Sequence, residues 1–451
     1  MSTPIVFWFR RDLRRRDHPA LQLAAESGPV VPVFVHDPIL WDRSGANRQA
    51  FLAEALASLD AGTDHHLVVR RGVPERELVE LCREVGAERV IATADFGPYG
   101  TERDERVAEA LATLDGRLEL VDSPYAVPPG SVTKGDGGPY KVFTPFFRAW
   151  KKIGWGAPDG PVDVEWATVD DRGRLPTAPT TSAELPTATE AAAWERVERF
   201  LADGVDTYHQ RRDDPGVDGT SRLSPYLKWG LLHPRQLLAR LDETPGHETF
   251  RSELAWREFY ADVLHQWPAS ARQAFRPEMG DMELDDGPEA DERFAAWADG
   301  RTGYPIVDAG MRQLVGEGWM HNRVRMIVAS FLVKDLHLDW TRGARFFMEH
   351  LVDGDLASNN HGWQWVAGTG TDAAPYFRVF NPVTQSQKFD PTGRYIRRWV
   401  PELASLSDKT VHAPWTEPAG APAAYPAPVV DHGAEREEAL RRYDRLKARR
   451  A

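Results

Sequence analysis

The chain has 451 residues, of which 42% are hydrophobic and 27% charged, so it is long enough for two or three domains with substantial cores. Its formal net charge of −13 argues against a general DNA-coating protein, because such a chain repels phosphates on average, although a local basic face could still bind a duplex. A single cysteine, Cys82, excludes a disulfide framework and any four-cysteine metal or iron–sulfur cluster built within the chain.

Other simple features set the default expectations for the protein. Cys82 lies in the helical pattern ELVELCREVG, where a buried small apolar residue is expected. The sequence has no long apolar run that would predict a membrane span, and it enters a strand pattern at once, without a signal peptide. We therefore expect a cytoplasmic protein that does not contact a membrane, and a monomer.

Apolar runs and helical patterns alternate through the first 128 residues. Strands are predicted at residues 4–9, Val30–Val35, His66–Arg70, Arg89–Thr93 and Leu118–Val121. The helices predicted between them are His18–Ala25, Arg48–Leu59, Pro74–Val85 and Arg103–Leu114. This alternation predicts an α/β domain with a doubly wound parallel sheet over residues 1–128.

Polar residues follow several of these strands. Ligands of such folds bind beyond the carboxyl ends of the strands, which directs attention to His36, Asp37 and Asp95. From the residues alone, Asp37 and Asp95 could equally cap the turn or helix that follows each strand. No G-x-G-x-x-G motif follows the first strand, so a dinucleotide-binding Rossmann domain is not supported.

The rest of the chain is predicted to be a linker followed by helices. Residues 129–195 include a stretch rich in Pro, Thr and Ala without periodicity, which indicates a connection over the surface. Residues 196–451 are predicted to form a large all-α domain, a fold that can enclose a large cofactor. Helices are predicted at Ala191–Phe200, Pro225–Trp229, Pro234–Leu241, Thr249–Gln266, Asp291–Ala298, Tyr304–Glu317, His321–Lys334, Trp340–His350 and Leu356–Trp365. A charged helix, AEREEALRRYDRLKARR, is predicted close to the end, with no long extension after it.

One stretch combines residues that no ordinary structural element needs. DGDLASNNHGWQWVAGTGTDAAPYFRVFNP, from Asp353 to Pro382, holds two acids, two consecutive amides and two Trp that flank a Gln. On its own it could also be an aromatic core helix with a polar first turn. Three further blocks occur in the chain, TSRLSPYLKWG from Thr220, ELAWREFY from Glu253 and TGYPIVDAGMRQLVGEGWMHNRVRM from Thr302. Together with the N-terminal IVFWFRRDLR, these blocks resemble the photolyase/cryptochrome family over nearly the whole chain, and most closely its class I members that repair cyclobutane pyrimidine dimers.

The resemblance implies an FAD site in the helical domain. Thr220, Ser221, Arg222, Leu223 and Ser224 offer hydroxyls, a guanidinium and amides that suit a pyrophosphate, although the same residues also make an acceptable helix cap. The remaining residues that the family places on the cofactor are Tyr208, Phe250 (usually Trp), Arg257, Arg325, Asp353, Asp355 and Asn359. Asn359 falls where the family faces flavin N5, and photolyases carry Asn there whereas plant-type cryptochromes carry Asp.

The resemblance also implies a DNA substrate damaged by ultraviolet light. Glu253 would hydrogen-bond the pyrimidine carbonyls, and Trp256 and Trp365 would stack on a flipped-out dimer. Asn322 and Met326 match the members that repair cyclobutane dimers. Relatives that act on (6-4) photoproducts carry a second His in this block, where this chain has only His321. Arg212 and Arg323 would hold flanking phosphates, although without the family they are more simply surface charges.

The function implied is light-driven repair, in which excited reduced FAD passes an electron to the dimer. The alternative within the family is a blue-light receptor without repair activity, which Asn359, Glu253 and Trp256 disfavour. A flavin oxidoreductase that uses nicotinamide lacks a dinucleotide fingerprint. No metal site is expected.

A second, light-harvesting cofactor is expected in the α/β domain. The segments VFVHDP, ANRQAFL and ADFGPYGTERDE look more like members that bind a deazaflavin (8-HDF) than those that bind a folate (MTHF). Our candidates for this antenna site are Asp37, Arg48, Asp95 and Phe96.

The family's chain of three Trp for flavin photoreduction is incomplete. Trp363 and Trp340 match its first two members, but Gly287 occupies the third position, and no Trp or Tyr lies between Trp267 and Trp297. The acidic sequence GDMELDDGPEADER predicts an exposed loop before a helix. We expect photoreduction to be impaired or to use another aromatic residue brought near by folding, while repair itself persists.

Overall fold

The first part of the chain is built on a five-stranded parallel sheet. Its strands are β1 Ile5–Phe9, β2 Val30–His36, β3 Val68–Arg71, β4 Arg89–Thr93 and β5 Arg117–Val121. Their order in the sheet is β3-β2-β1-β4-β5, with Ile5 opposite Val30 and Phe9 opposite Phe34. Every residue of β1 and β2 is buried, as expected for central strands covered on both faces. The computed structural model describes residues 3–418 and 420–450.

Helices connect the strands and form most of the chain after the sheet. Those associated with the sheet are α1 Pro19–Ser27, α2 Pro38–Trp41, α3 Ala46–Gly62, α4 Pro74–Val85 and α5 Pro98–Ala112. The next helices are α6 Phe143–Ile153, α7 Glu190–Asp203, α8 Tyr208–Arg211, α9 Ser224–Trp229, α10 Pro234–Leu238 and α11 Pro245–Gln266. The last are α12 Gly287–Ala298, α13 Pro305–Glu317, α14 Asn322–Lys334, α15 Trp340–His350, α16 Leu356–Ala367, α17 Pro382–Phe389, α18 Arg394–Trp399 and α19 His432–Ala448. Short 3-10 helices lie at Pro268–Ala271, Pro277–Met279, Pro401–Leu403 and Pro414–Thr416.

The predicted fold class is confirmed, with a parallel sheet first and a mostly helical part after it. The prediction missed α6, which lies inside the predicted linker. Helix α6 buries Phe143, Phe146 and Trp150 on one face, at the three- and four-residue spacing of an amphipathic helix. The helices α17 and α18 were also missed, and α12 begins at Gly287, four residues before the predicted start at Asp291.

The chain divides into two compact units. Unit 1 contains the chain through Thr181, then Leu185–Asp206 and Ser221–Pro268; unit 2 contains Ser182–Glu184, Thr207–Thr220 and the chain from Ala269 onward. These units cut the chain at other places than the predicted domains, because α11 packs on α6 and belongs to the unit of the sheet. The division into 1–128, 129–195 and 196–451 stays a prediction.

The core of unit 2 is rich in aromatic residues. Trp297, Phe331 and Tyr395 are almost completely buried there, and the side chains of Trp340 and Trp363 belong to the same cluster. In unit 1, Cys82 is buried against the sheet, as predicted. None of the described helices is long and apolar enough to cross a membrane.

Candidate functional site

The residues predicted to form the site are divided between the two units. Unit 2 holds Tyr208, Arg212, Thr220, Asn322, Arg323, Arg325, Met326, Trp340, Asp353, Asp355, Asn359, Trp363 and Trp365. Unit 1 holds Ser221, Arg222, Leu223, Ser224, Phe250, Glu253, Trp256 and Arg257, together with Asp37, Arg48, Asp95 and Phe96.

In unit 2, the buried acid Asp353, just before α16, forms an ion pair with the half-buried Arg325 of α14. Asp353 Oδ2 accepts a hydrogen bond from Arg325 Nη2 at 2.9 Å, and Arg325 Nε donates to Met320 O at 2.8 Å. Asp353 is 8% exposed, and its second oxygen, Oδ1, is buried without a hydrogen-bond partner in the described part of the chain. Because such an oxygen carries a desolvation cost, the site fits a ligand that brings an N–H or O–H donor.

Asp355 has a local structural role that Asp353 lacks. Its side chain caps α16, with Oδ1 accepting a hydrogen bond from Ser358 N at 3.1 Å. This cap fixes the start of the helix that carries Asn359, Trp363 and Trp365. The acids of the DGD motif therefore differ in their partners, although they are only two positions apart.

Two consecutive amides follow on α16. Asn359 Nδ2 donates to Ala344 O at 3.0 Å and to Asn360 Oδ1 at 2.8 Å. Asn360 is buried, and its Nδ2 donates to Ala271 O. Both N–H groups of Asn359 are therefore used, which leaves its Oδ1 as the polar atom that can meet a ligand.

The two Trp of the predicted electron-transfer chain are both buried. The Trp363 ring lies edge-on to Phe347 at 5.0 Å and to Trp297 at 6.1 Å between ring centroids. Gly343 lets α15 approach this ring, because a Cβ at that position would overlap Trp363. Trp340 is 8% exposed and is the first residue of α15, after the capping residue Asp339.

The position of the third Trp in the predicted electron-transfer chain is occupied by Gly287, which has no side chain. Gly287 is the first residue of α12, so the predicted exposed loop ends at Asp286. Within the residues that the structure describes, and apart from the chain neighbours and the backbone of α12 itself, no heavy atom lies within 4 Å of where a Cβ of Gly287 would be. Trp297, at the other end of α12, is fully buried and donates its indole N–H to Val328 O at 3.0 Å.

The predicted phosphate-binding residue Arg323 lies next to an acid that the prediction missed. Arg323 Nη2 is 3.0 Å from both carboxylate oxygens of Asp213, and its guanidinium lies 4.4 Å from the centre of the Phe389 ring. Asp213 is also 3.9 Å from Arg212. Its position directly after the basic pair in RRDD was the available signal, but a contact with Arg323, 110 residues away, leaves no local pattern.

Helix α11 carries the substrate-side candidates of unit 1. The Trp256 ring stacks on Phe143 with centroids 3.7 Å apart and planes 8° apart, and Trp256 is half-buried. Glu253 is also half-buried, and Phe250 is buried against Phe200 at 4.8 Å. The stacking partner of Trp256 comes from α6, the helix that the prediction missed.

The predicted cofactor residue Arg257 bridges two segments of unit 1. Its guanidinium donates to Pro124 O and Leu227 O, both at 3.2 Å, and lies 4.5 Å from the centre of the Tyr125 ring. These contacts hold α11 to α9, the helix that follows the predicted pyrophosphate segment.

The predicted pyrophosphate segment has an unusual backbone. Arg222 has a φ of 50°, in the left-handed region that non-glycine residues rarely adopt. Ser221 O accepts from Arg196 Nε at 2.8 Å, and Ser221 Oγ accepts from Leu223 N at 3.4 Å. Strained backbone of this kind is common where a loop is shaped for a ligand.

Glu258, in the ELAWREFY block of the same helix, is a buried carboxyl group to which the sequence assigned no role. It accepts hydrogen bonds from Ala126 N at 2.6 Å, Val127 N at 3.0 Å and Trp150 Nε1 at 2.6 Å. Burial raises the pKa of Glu258 to about 7, and these donors only partly offset that effect. Glu258 therefore fixes α11 to α6 and to the chain after β5.

Two of the antenna candidates lie just after strands of the parallel sheet, Asp37 after β2 and Asp95 after β4. Asp37 caps α2 through Ile39 N at 2.9 Å, and its other oxygen accepts from Tyr99 Oη. Asp95 accepts from Phe96 N at 2.8 Å. Burial opposes the ionisation of Asp95, but nearby Arg side chains outweigh it and hold the Asp95 pKa well below its usual range. Both acids thus make the local caps that were the alternative interpretation, and Arg48 is buried.

Comparison with known proteins identifies the family. Residues 5–163 match the DNA photolyase family, and residues 250–445 match the FAD binding domain of DNA photolyase. The deoxyribodipyrimidine photo-lyase of Vibrio cholerae is 41% identical, over 98% of this chain and 99% of that protein. This chain belongs to the DNA photolyase family.

Solved structures agree with this family. The crystal structure of a bacterial class III photolyase from Agrobacterium tumefaciens has a TM-score of 0.93 and 36% identity, covering 99% of this chain and 98% of its own. An archaeal photolyase from Sulfolobus tokodaii, whose structure holds two FAD molecules, has a TM-score of 0.88 and 30% identity, covering 98% of this chain and all of its own.

Proposed function

We propose that this chain is a deoxyribodipyrimidine photo-lyase, which repairs cyclobutane pyrimidine dimers in DNA with light. The family and the names of its relatives support this function. The observation within the chain that carries it comes from Asp353, just before α16, and Asn359, on α16. One oxygen of each, Asp353 Oδ1 and Asn359 Oδ1, remains available to a ligand. Oxygens that only accept suit the N–H groups of a reduced flavin.

When bound in reduced form, FAD would supply the electron that opens the dimer and would recover it afterwards. In our proposal, Asp353 receives a hydrogen bond from the cofactor, and Arg325 holds that carboxylate in place from its other side. Asp355, Tyr208, Phe250 and Arg257 complete the cofactor site, and Thr220–Ser224 bind its pyrophosphate. The strained Arg222 backbone in that segment supports this role.

The substrate side is proposed on Glu253, Trp256 and Trp365. Glu253 would hydrogen-bond the pyrimidine carbonyls and stabilise the negative charge that develops on the dimer. Trp256 and Trp365 are half-buried and retain ring surface on which bases could stack. The residues proposed to contact the rest of the DNA are Arg212, Asn322, Arg323 and Met326.

The finer assignments are proposals of the same kind. We place a second chromophore, a deazaflavin (8-HDF) rather than a folate (MTHF), against Asp37, Arg48, Asp95 and Phe96. The S. tokodaii structure, in which two FAD molecules are bound, supports a second site in this fold. A class I assignment, a monomeric state and a cytoplasmic location remain proposals from the sequence.

The test is repair of an oligothymidine that contains cyclobutane dimers. Chemically reduced, FAD-loaded protein is illuminated with blue light, and recovery of thymine absorbance is followed beside a dark control. We expect light-dependent repair that Glu253→Ala reduces by about tenfold or more, because a hydrogen bond to developing charge is lost. The exposed residue Glu243, whose change to Ala should leave repair intact, provides the matched control. Tight FAD binding without any repair would instead support the blue-light receptor.

A further inference from the structure

We propose that Asn360 is a positioning residue that orients the carboxamide of Asn359, so that only its oxygen is presented to the flavin. The inference rests on the proposed function, in which Asn359 faces the flavin nitrogen N5. It assigns to the second amide of the NN pair a role that is not in direct contact with the cofactor.

The orientation of the Asn360 carboxamide is set by a backbone carbonyl. Asn360 Nδ2 donates to Ala271 O, and a carbonyl oxygen has no proton to give in return. The nitrogen must therefore face Ala271, and Oδ1 must face the other way. Burial of Asn360, which is 8% exposed, leaves no water to replace this bond at low cost.

The oxygen of Asn360 then acts on Asn359. It accepts from Asn359 Nδ2 at 2.8 Å, while Ala344 O, on α15, accepts from the same nitrogen at 3.0 Å. A half-turn of the Asn359 carboxamide would place its oxygen against these two acceptor oxygens and lose both hydrogen bonds. The two acceptors therefore hold the Asn359 oxygen on the side away from Ala344 O and Asn360 Oδ1. An Asn without these restraints could turn either its oxygen or its nitrogen toward a ligand.

The consequence is chemical. A flavin N5 carries a proton in the reduced cofactor and is an unprotonated acceptor in the oxidised one. An oxygen facing N5 accepts from the reduced form and repels the oxidised form, whereas an N–H group would do the reverse. By fixing Asn359, Asn360 favours the reduced cofactor, which is the state that repair requires.

The experiment is a double-mutant cycle read by the midpoint potential of bound FAD. The proteins compared are wild type, Asn359→Ala, Asn360→Ala and the double variant, each loaded with FAD. We expect Asn360→Ala to lower the preference for reduced over oxidised flavin about tenfold, a decrease of about 30 mV for two electrons. In the Asn359→Ala background the same change should have no further effect, because its target is gone.

Other outcomes separate the two ideas. An equal shift from Asn360→Ala with and without Asn359 would overturn the positioning role. So would a result in which Asn359→Ala shifts the potential but Asn360→Ala does not. If Asn359→Ala leaves the potential unchanged, the placement of Asn359 against the flavin is wrong and the positioning role fails with it. The affinity of each variant for oxidised FAD and its thermal melting temperature identify a variant that is merely misfolded. Asn360→Ser, with a smaller loss of volume, is the second variant and should shift the potential in the same direction.

Discussion

At the scale of single residues, Gly287 is the clearest departure from the family pattern. Apart from its chain neighbours and the backbone of its own helix, no heavy atom of the described residues lies within 4 Å of its missing Cβ, so the space next to this position is open. Trp297 contacts Trp363 but is fully buried, and its indole N–H is held by Val328 O, which cannot take up a proton. An electron hole passed to Trp297 therefore has no evident exit to solvent.

We expect light-driven reduction of oxidised FAD by an external donor to be at least tenfold slower than in a relative with all three Trp. The physical reason is that a hole confined to buried residues returns to the flavin before the donor reaches it. Absorbance of the oxidised flavin under blue light measures the rate. Gly287→Trp should increase it, although the φ of 82° adds strain on the order of 1 kcal/mol.

Repair by chemically reduced protein provides the control, since the rate of dimer repair should be the same in wild type and in Gly287→Trp. The expectation is wrong if wild type is reduced as fast as the three-Trp relative and Trp340→Phe abolishes that reduction. In that case another aromatic residue completes a route through Trp340.

At the scale of secondary-structure elements, the packing of α6 on α11 shapes the proposed substrate surface. Phe143 covers one face of Trp256, with the two ring planes nearly parallel. A stacked ring of this kind keeps an indole from rotating, and such pairs contribute about 0.5–1.5 kcal/mol beyond their buried area. Glu258 strengthens the same junction through Trp150.

We expect Phe143→Ala to weaken binding of dimer-containing DNA about threefold to tenfold, because Trp256 must then be ordered at the moment of binding. Fluorescence anisotropy with damaged and undamaged oligonucleotides measures the two affinities. Only the affinity for the damaged oligonucleotide should decrease. Phe147→Ala is the matched control, since Phe147 also lies on α6 and stacks on Phe143, with ring centroids 5.6 Å apart. Equal losses for both oligonucleotides, or for both variants, would contradict a specific role of Phe143.

Elements were predictable where their own pattern is strong. The start of β2 and both ends of β4, α4 and α15 agree with the prediction, because buried β-branched runs and capped amphipathic helices are local signals. Helix α6 was missed because Pro145 and the glycines before it indicate a loop, and only its packing on α11 makes it a helix.

At the scale of the whole molecule, the family was predictable from the sequence, but the contacts that surround the proposed site residues were not. Asp353, Asn359 and Trp363 could be proposed as site residues because they lie in one continuous motif. The contacts that orient them come from distant segments, such as Ala271 to Asn360 and Asp213 to Arg323. A single sequence contains no local signal for contacts between residues about 90 or 110 positions apart.

Buried acids also affect the stability of the molecule, and Asp335 shows how. Its carboxylate is fully buried in unit 2, and Oδ1 lies 2.5 Å from His432 Nδ1, on α19. Burial raises the pKa of Asp335 from 3.8 to about 6, although the contact with His432 and the neighbouring Lys334 oppose this. The folded protein therefore holds this proton more tightly than the unfolded chain, so this contribution to stability is present below pH 4 and is lost as pH rises through 6.

Asp335→Asn stays neutral at every pH, so its stability should not fall in this pH range through ionisation at position 335. We therefore expect the free energy of unfolding of the variant, minus that of wild type, to be about 1 kcal/mol higher at pH 8 than at pH 5. Urea unfolding of the FAD-loaded proteins, followed by circular dichroism, measures the difference. Exposed Asp203→Asn should show no such trend. A constant difference between Asp335→Asn and wild type at both pH values would mean that Asp335 keeps an ordinary pKa, and that its contact with His432 outweighs its burial.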